Sequence, residues 1–162
     1  MQIIICSDSH GTAYKLDFLF RKHPNADMYL HLGDGERELD EVLNVFPDLR
    51  IKTYHVKGNC DFASFSPDSY VLPTEGGHFI YATHGYREFV HRGAVDSLRE
   101  IAQNKKADIV LFGHTHCRYS HYEDGIWYFN PGSIAQPRDG QPCSYGILDV
   151  SNKGVLLSHG NI

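Results

Sequence analysis

The chain's 162 residues, 41% of them hydrophobic, fit one domain and can bury a real core without disulfide staples. Lys and Arg total 15 against 20 Asp and Glu, and the net charge of −5 argues against a general grip on nucleic-acid backbones, which needs clustered positive charge. The first apolar stretch, Ile3-Ile4-Ile5-Cys6, falls short of the roughly 7–15 apolar residues of a secretory signal and the roughly 20 of a membrane span, so a soluble, cytoplasmic chain with no membrane partner is expected.

Short apolar runs bounded by turn residues read as buried strands, and apolar residues at i, i+3, i+4 and i+7 read as helices. Ile3-Ile4-Ile5-Cys6 is the first strand and leads into Ser7-Asp8-Ser9-His10-Gly11. Tyr14, Leu16, Phe18, Leu19 and Phe20, mixed with Lys15, Asp17 and Arg21, predict a helix that ends by Pro24. A second strand, 28–32, leads to Gly33-Asp34. Leu39, Val42, Leu43 and Phe46 then mark an amphipathic helix, with Glu36, Glu38, Asp40 and Glu41 on a face read as solvated; acidic residues near a helix start suit its dipole. Strands follow at 51–56, leading to Gly58-Asn59-Cys60-Asp61, and at 79–82, leading to Thr83-His84-Gly85. Val90, Ala94, Leu98 and Ile101 predict a third helix up to about Lys105, and a strand at 109–112 runs into Gly113-His114-Thr115-His116. From Arg118 onward only strands and turns remain: 118–122 and 126–129 around Asp124-Gly125, then 145–150 and 155–159 around Asn152-Lys153-Gly154. The expected fold class is α/β (α+β), two packed β-sheets flanked by helices, in a single domain over residues 1–162.

The chemistry-bearing residues lie just past the strand ends: Asp8, His10, Asp34, Asn59, His84, His114 and His116. Loops beyond the carboxyl ends of strands converge in α/β sheets, and an i, i+2 pair such as Asp8 and His10, or His114 and His116, shares a side when extended. Clustered carboxylates and imidazoles without thiolates suit Mn²⁺, Fe, Zn²⁺, Co²⁺ or Ni²⁺. Seven such groups exceed one coordination sphere and fit two ions sharing a carboxylate, an arrangement that holds a bridging hydroxide and stabilises both oxygens of a phosphoryl displacement. Cys6, Cys60, Cys117 and Cys143 show no C-x-x-C spacing and read as free thiols.

In order along the chain, Asp8-Ser9-His10, Gly33-Asp34, Gly58-Asn59, His84-Gly85 and Gly113-His114-Thr115-His116 resemble the motif set of the calcineurin-like metallophosphoesterases. Asn130-Pro131-Gly132-Ser133, followed by Pro137-Arg138, resembles the small YfcE-type phosphodiesterase branch. The resemblance implies the double β-sandwich flanked by helices and two divalent ions, manganese first among Mn, Ni, Fe, Co and Zn. Asp8, His10, Asp34 and His116 would hold one ion and Asp34, Asn59, His84 and His114 the other, with His84, His114 and Asn59 also serving catalysis. It further implies a binuclear-metal-dependent phosphodiesterase acting on a small phosphate ester by attack of a metal-bridging hydroxide, compatible with a homo-oligomer. A phosphomonoesterase, or a non-catalytic interaction scaffold of the retromer-subunit kind, is the alternative; complete ligand positions argue against the scaffold.

One position departs from the larger phosphatases of the family, whose G-N-H motif ends in a histidine thought to protonate the leaving oxygen. Here it is Cys60, read either as an inert thiol or as a poor proton donor. Asp61 has two readings, orienting a ligand imidazole or capping a turn, and Arg138 has two, binding substrate phosphate or forming a surface ion pair. His23, His31, His55 and His78 read as packing or solvent residues, and His91, His121 and His159 have no motif company. Tyr119, Tyr122, Trp127, Tyr128 and Phe129 alternate along a hairpin and read as core or subunit packing.

Overall fold

Continuous apolar runs such as Ile3, Ile4 and Ile5, all fully buried, need cover on both faces, and the architecture supplies it. The structure is a computed structural model and describes residues 1–91 and 95–162. Along the chain lie β1 (Gln2–Cys6), α1 (Ala13–Lys22), β2 (Met28–His31), α2 (Glu36–Val45), β3 (Thr53–His55), β4 (Ser69–Pro73), β5 (Phe79–Thr83), α3 (Asp96–Lys105), β6 (Ile109–Leu111), β7 (Arg118–Glu123), β8 (Ile126–Pro131), β9 (Ser144–Ser151) and β10 (Gly154–Asn161). One sheet has the order β10-β9-β1-β2-β3 and the other β4-β5-β6-β8-β7. Within them β1, β2 and β3 run parallel, as do β5, β6 and β8, while β4, β7 and β10 add antiparallel edges and β9 pairs antiparallel with β1.

The inner faces share one core, in which Ile3, Ile5 and Leu30 of the first sheet meet Ile80, Ile109, Leu111 and Phe129 of the second. Burying each such side chain contributes about 1.5–3 kcal/mol before ordering costs. The outer face of the first sheet packs Ile4 and Tyr29 against Leu16, Leu19 and Phe20 of α1 and Leu39, Val42 and Leu43 of α2. The outer face of the second sheet packs Tyr81, Val110 and Tyr128 against Leu98 and Ala102 of α3. The result is the expected pair of β-sheets flanked by helices. Among the described residues no helix is long and apolar enough to cross a membrane.

Four local expectations are corrected. β4 carries a single buried residue, Leu72, on an edge, and its weak apolar pattern hid it. Ile51 lies in a 3₁₀ turn (Pro47–Lys52) and is 90% exposed, so the strand begins only at Thr53. The third helix starts at Asp96; Val90 packs in its core from the loop before it, and Ala94 lies outside the described residues. Finally, the face of α2 read as solvated carries a buried Glu38, which accepts the Ser9 hydroxyl (2.7 Å) and the Gly11 N–H (2.6 Å).

Candidate metal centre

The loops after β1, β2, β3, β5 and β6 are zipped together by their own backbones. Asp8 N–H donates to Gly33 O at 3.0 Å and His10 N–H to Asp34 O at 3.1 Å, joining the first loop to the second. Gly113 N–H donates to His84 O at 3.0 Å, joining the fifth to the fourth, and His114 N–H donates to Asp8 Oδ2 at 3.2 Å, tying the two sheets. Ser133, beyond β8, donates its hydroxyl to Asp8 O at 2.8 Å. Such close approach demands glycine: a Cβ on Gly58 would overlap Asp34 Oδ1, one on Gly113 would overlap Ser7 Oγ, and one on Gly35 would overlap Ser9 Oγ.

The i, i+2 pairs converge, but by coiling rather than extension. Asp8 (φ 57°), His10 (φ 39°), Asp34 (φ 58°), His114 (φ 67°) and His116 (φ 56°) all adopt the left-handed conformation. They are five of the nine non-glycine residues with positive φ among those described, a concentration expected where function rather than stability dictates the backbone.

The sequence-predicted donors meet in one place. His116 Nε2 lies 3.2 Å from Asp8 Oδ1 and 3.2 Å from His10 Nε2. Asp34 Oδ2 stands 3.8 Å from His10 Nε2 and 3.6 Å from His84 Nε2, and His84 Nε2 is 3.1 Å from Asn59 Oδ1. The His114 ring centroid is 5.2 Å from that of His84. Donor atoms of Asp8, His10 and His116, of Asp8, Asp34 and His84, and of His10, Asp34 and Cys60 each fall within 4.8 Å of one another.

Three observations fit cations at this site. Asp8 Oδ1 is buried and accepts no hydrogen bond, a costly state for a carboxylate oxygen unless a cation compensates it. His84 Nδ1 faces Leu32 O at 2.6 Å and His116 Nδ1 faces Gln136 O at 2.7 Å. A carbonyl only accepts, so in the neutral rings Nδ1 holds the proton and the Nε2 lone pair turns inward, the orientation a metal-binding imidazole needs. Electrostatics agree: burial opposes ionisation of Asp8, yet His116 and His84 hold its carboxyl below the usual carboxylate range. Burial and His84 lower His114, whereas on His116 burial opposes a charge but contact with Asp8 prevails and raises it, so a ring proton and a metal ion compete for the same place beside Asp8 Oδ1.

Cys60 N–H donates to Asp34 Oδ1 at 2.6 Å, and the Cys60 thiol receives Asn59 Nδ2–H at 3.2 Å. Loss of solvation and the Asp34 carboxylate push this thiol up to about 11. Among the described residues Asp61 faces His55 rather than an imidazole of the candidate ligand set. It accepts four backbone N–H groups, from Asp34 (2.8 Å), Gly35 (2.9 Å), Glu36 (3.0 Å) and Gly58 (2.8 Å), and so clamps two ligand loops together. Burial opposes its ionisation, but these bonds and His55, 3.4 Å away, hold the carboxyl well below the usual range. Arg138 is exposed, donates its N–H to His116 O at 2.9 Å and exerts its charge on the His116 ring.

The remaining histidines lie apart from the ligand set. His31 contacts Ser9 Oγ at 2.9 Å, His78 contacts Asp108 at 2.5 Å, His23 contacts Tyr145, and His159 stacks on Phe129. His91 lines a separate cleft beside Thr115, and His121 stands on β7. Tyr122 packs on Trp127 with centroids 4.5 Å apart, and Tyr128 and Phe129 are buried, as hairpin packing requires. Sequence reasoning missed Tyr86, whose ring lies 5.7 Å from His84 and 6.4 Å from His114 and whose hydroxyl accepts Arg87 Nε–H at 2.8 Å. Its position directly after His84-Gly85 was the available signal.

The chain is similar to known proteins along most of its length. A family model described as a calcineurin-like phosphoesterase superfamily domain matches residues 1–153. The probable metallophosphoesterase YsnB of Bacillus subtilis is 35% identical over 159 residues, covering 97% of this chain and 89% of that protein. The phosphodiesterase YfcE of Escherichia coli K12 is 35% identical over 178 residues, covering 96% and 91%. A solved structure from Streptococcus pneumoniae, described as a conserved protein and predicted phosphoesterase, superposes with a TM-score of 0.84 at 28% identity over 99% of this chain and 88% of that one. In fold alone, Vps29 of Entamoeba histolytica, solved in complex with zinc, superposes with a TM-score of 0.76 at 20% identity over 99% and 98%.

Proposed function

The chain belongs to the calcineurin-like phosphoesterase superfamily, and from that premise we propose that it is a binuclear-metal-dependent phosphodiesterase acting on a small phosphate ester. The observation that carries the reading is the inward convergence of Nε2 of His10, His84 and His116 on the carboxylates of Asp8 and Asp34. Competent donor groups at all seven positions favour an enzyme over a scaffold on this fold.

In this reading Asp8, His10, Asp34 and His116 hold one ion and Asp34, Asn59, His84 and His114 hold the other, with manganese the leading metal and Ni, Fe, Co or Zn able to serve. Two divalent ions there would supply a nucleophilic hydroxide at neutral pH and offset the charge that gathers on the phosphoryl oxygens. The chain itself contributes placement. Asp61 fixes the Asp34 and Asn59 loops in register, and the carbonyls of Leu32 and Gln136 fix the tautomers of His84 and His116. Burial and His84 lower His114, and an N–H of its neutral ring can donate a hydrogen bond to a phosphoryl oxygen.

No imidazole occupies position 60, and a thiol pushed up to about 11 releases its proton reluctantly. The leaving oxygen must therefore depart as a stable anion, which favours diesters with acidic leaving groups. The test is a screen of the purified protein, reconstituted with each metal, against phosphomonoesters and phosphodiesters. A bis-aryl phosphate should exceed an alkyl monoester in kcat/KM by about 10²-fold, the lower end of what general acid help is worth. Equal turnover of the two would count against the diesterase reading.

A further inference from the structure

Outward from His10, Asp34 and Cys60 runs a cleft of about 700 Å³ that continues along Phe62, Phe65 and Arg37. Phe62 is 89% exposed and Phe65 103% exposed, so neither ring contributes to the core. Both sit on a built loop rather than a loose one. Phe62 N–H donates to Cys60 O at 3.1 Å, Lys57 N–H donates to Pro67 O at 2.9 Å, and the Ser66 hydroxyl donates to Glu36 at 2.5 Å. Between the rings Ala63 holds a left-handed φ of 58°, a conformation that costs a non-glycine residue energy and turns the loop sharply. Two bare aromatic rings, held by a strained turn beside a candidate catalytic centre, suit a flat ligand group.

The charge around the cleft narrows the ligand further. Among the described residues its lining carries the acids Asp34, Glu36, Glu38, Asp40 and Asp61 against one Lys or Arg side chain, Arg37, which pairs with Glu41 at 3.2 Å, while Asp40 pairs with Arg50 at 2.8 Å. A second phosphate on the same arm would meet repulsion rather than a clamp.

We propose that Phe62 and Phe65 form a stacking subsite for the retained arm of the substrate. The substrate class is then a singly charged phosphodiester with a flat, uncharged aromatic group, an aryl ring or a nucleobase, on that arm. The proposal rests on the phosphodiesterase reading above and adds to it the identity of the group beside the phosphate.

Two synthetic diesters isolate the arm: bis(p-nitrophenyl) phosphate and methyl p-nitrophenyl phosphate share a leaving group and differ in what is retained. In the manganese-loaded protein, Phe62→Ala with Phe65→Ala should lower the bis-aryl to methyl-aryl ratio of kcat/KM about ten-fold, through KM rather than kcat, since stacking is worth this much per ring system. Phe62→Tyr with Phe65→Tyr should restore the ratio. Calorimetry reads the same preference without turnover: phenylphosphonate should bind more tightly than methylphosphonate, and the double alanine variant should lose the difference. If the wild-type protein hydrolyses neither diester, the phosphodiesterase reading falls, while the phosphonate titration still decides the subsite. An unchanged ratio and an unchanged phosphonate preference in the double alanine variant would overturn the subsite. So would a change in sedimentation mass with the ratio intact, which would assign the two rings to contact between chains.

Discussion

Substituting Asp34 by Asn leaves the size of the side chain and removes the charge that His10 and His84 both approach, at 3.8 and 3.6 Å. If Asp34 bridges two ions, Asp34→Asn should bring the manganese content from about two per chain to near zero and abolish turnover, whereas His10→Ala should retain about one. Elemental analysis after gel filtration reads the difference, and equal, mild losses in both variants would contradict bridging. Asp61 makes a separate prediction, on stability. Its carboxyl is held below its unfolded value of about 3.9, so its contribution is complete above that pH and is lost as pH falls toward the folded value. Asp61→Asn keeps one acceptor oxygen and loses the two charge-assisted bonds of the other, so at about 1.5–3 kcal/mol each it should cost about 3–6 kcal/mol at pH 7 and should flatten the acid limb of the denaturation profile below about pH 4. At this scale the candidate donors were legible because polar residues past apolar runs stand out as letters. The clamp was not: Asp61 grips backbone N–H groups, and His84 and His116 lean on backbone carbonyls, which every residue carries alike.

The elements were read well wherever they are buried on both faces, and badly where they meet solvent or one another. β1, β2, β5 and β6 appear as apolar runs because both sides of each strand face a core. β4 escaped notice because an edge strand with one buried residue has no periodicity to show, and Pro73 at its end reads as a breaker. Glu38 was misread because helical spacing sees only α2; the β1 loop that supplies Ser9 and Gly11 arrives from elsewhere in the chain. The junction of β6 with its loop gives a clean test. Gly113→Ala would force a Cβ into Ser7 Oγ and displace the adjoining His114 without changing the identity of any donor residue. Far-UV circular dichroism should stay native and kcat/KM should fall by about 10²-fold, the cost of an ångström-scale misplacement at a catalytic group.

Across the whole molecule, two sheets deliver their loops to one end, and that end gathers carboxylates and imidazoles that satisfy one another poorly. Ion binding should therefore act as a fastener between the sheets. Manganese at about 100 times its dissociation constant should raise stability by about 2.7 kcal/mol per site, seen as a rise in melting temperature that a chelator reverses. A melting temperature indifferent to manganese would mean that the ions, if bound, bridge nothing that folding brings together. The left-handed backbone at Asp8, His10, Asp34, His114 and His116 has a consequence for descent. Each of these positions is one where glycine would suit the chain better by about 1 kcal/mol or more. If the chain is the hydrolase proposed above, selection for that activity has to hold a bulkier side chain there against that gradient. In a lineage released from catalysis, the gradient would run unopposed, and drift would empty the metal centre long before it eroded the strands beneath it.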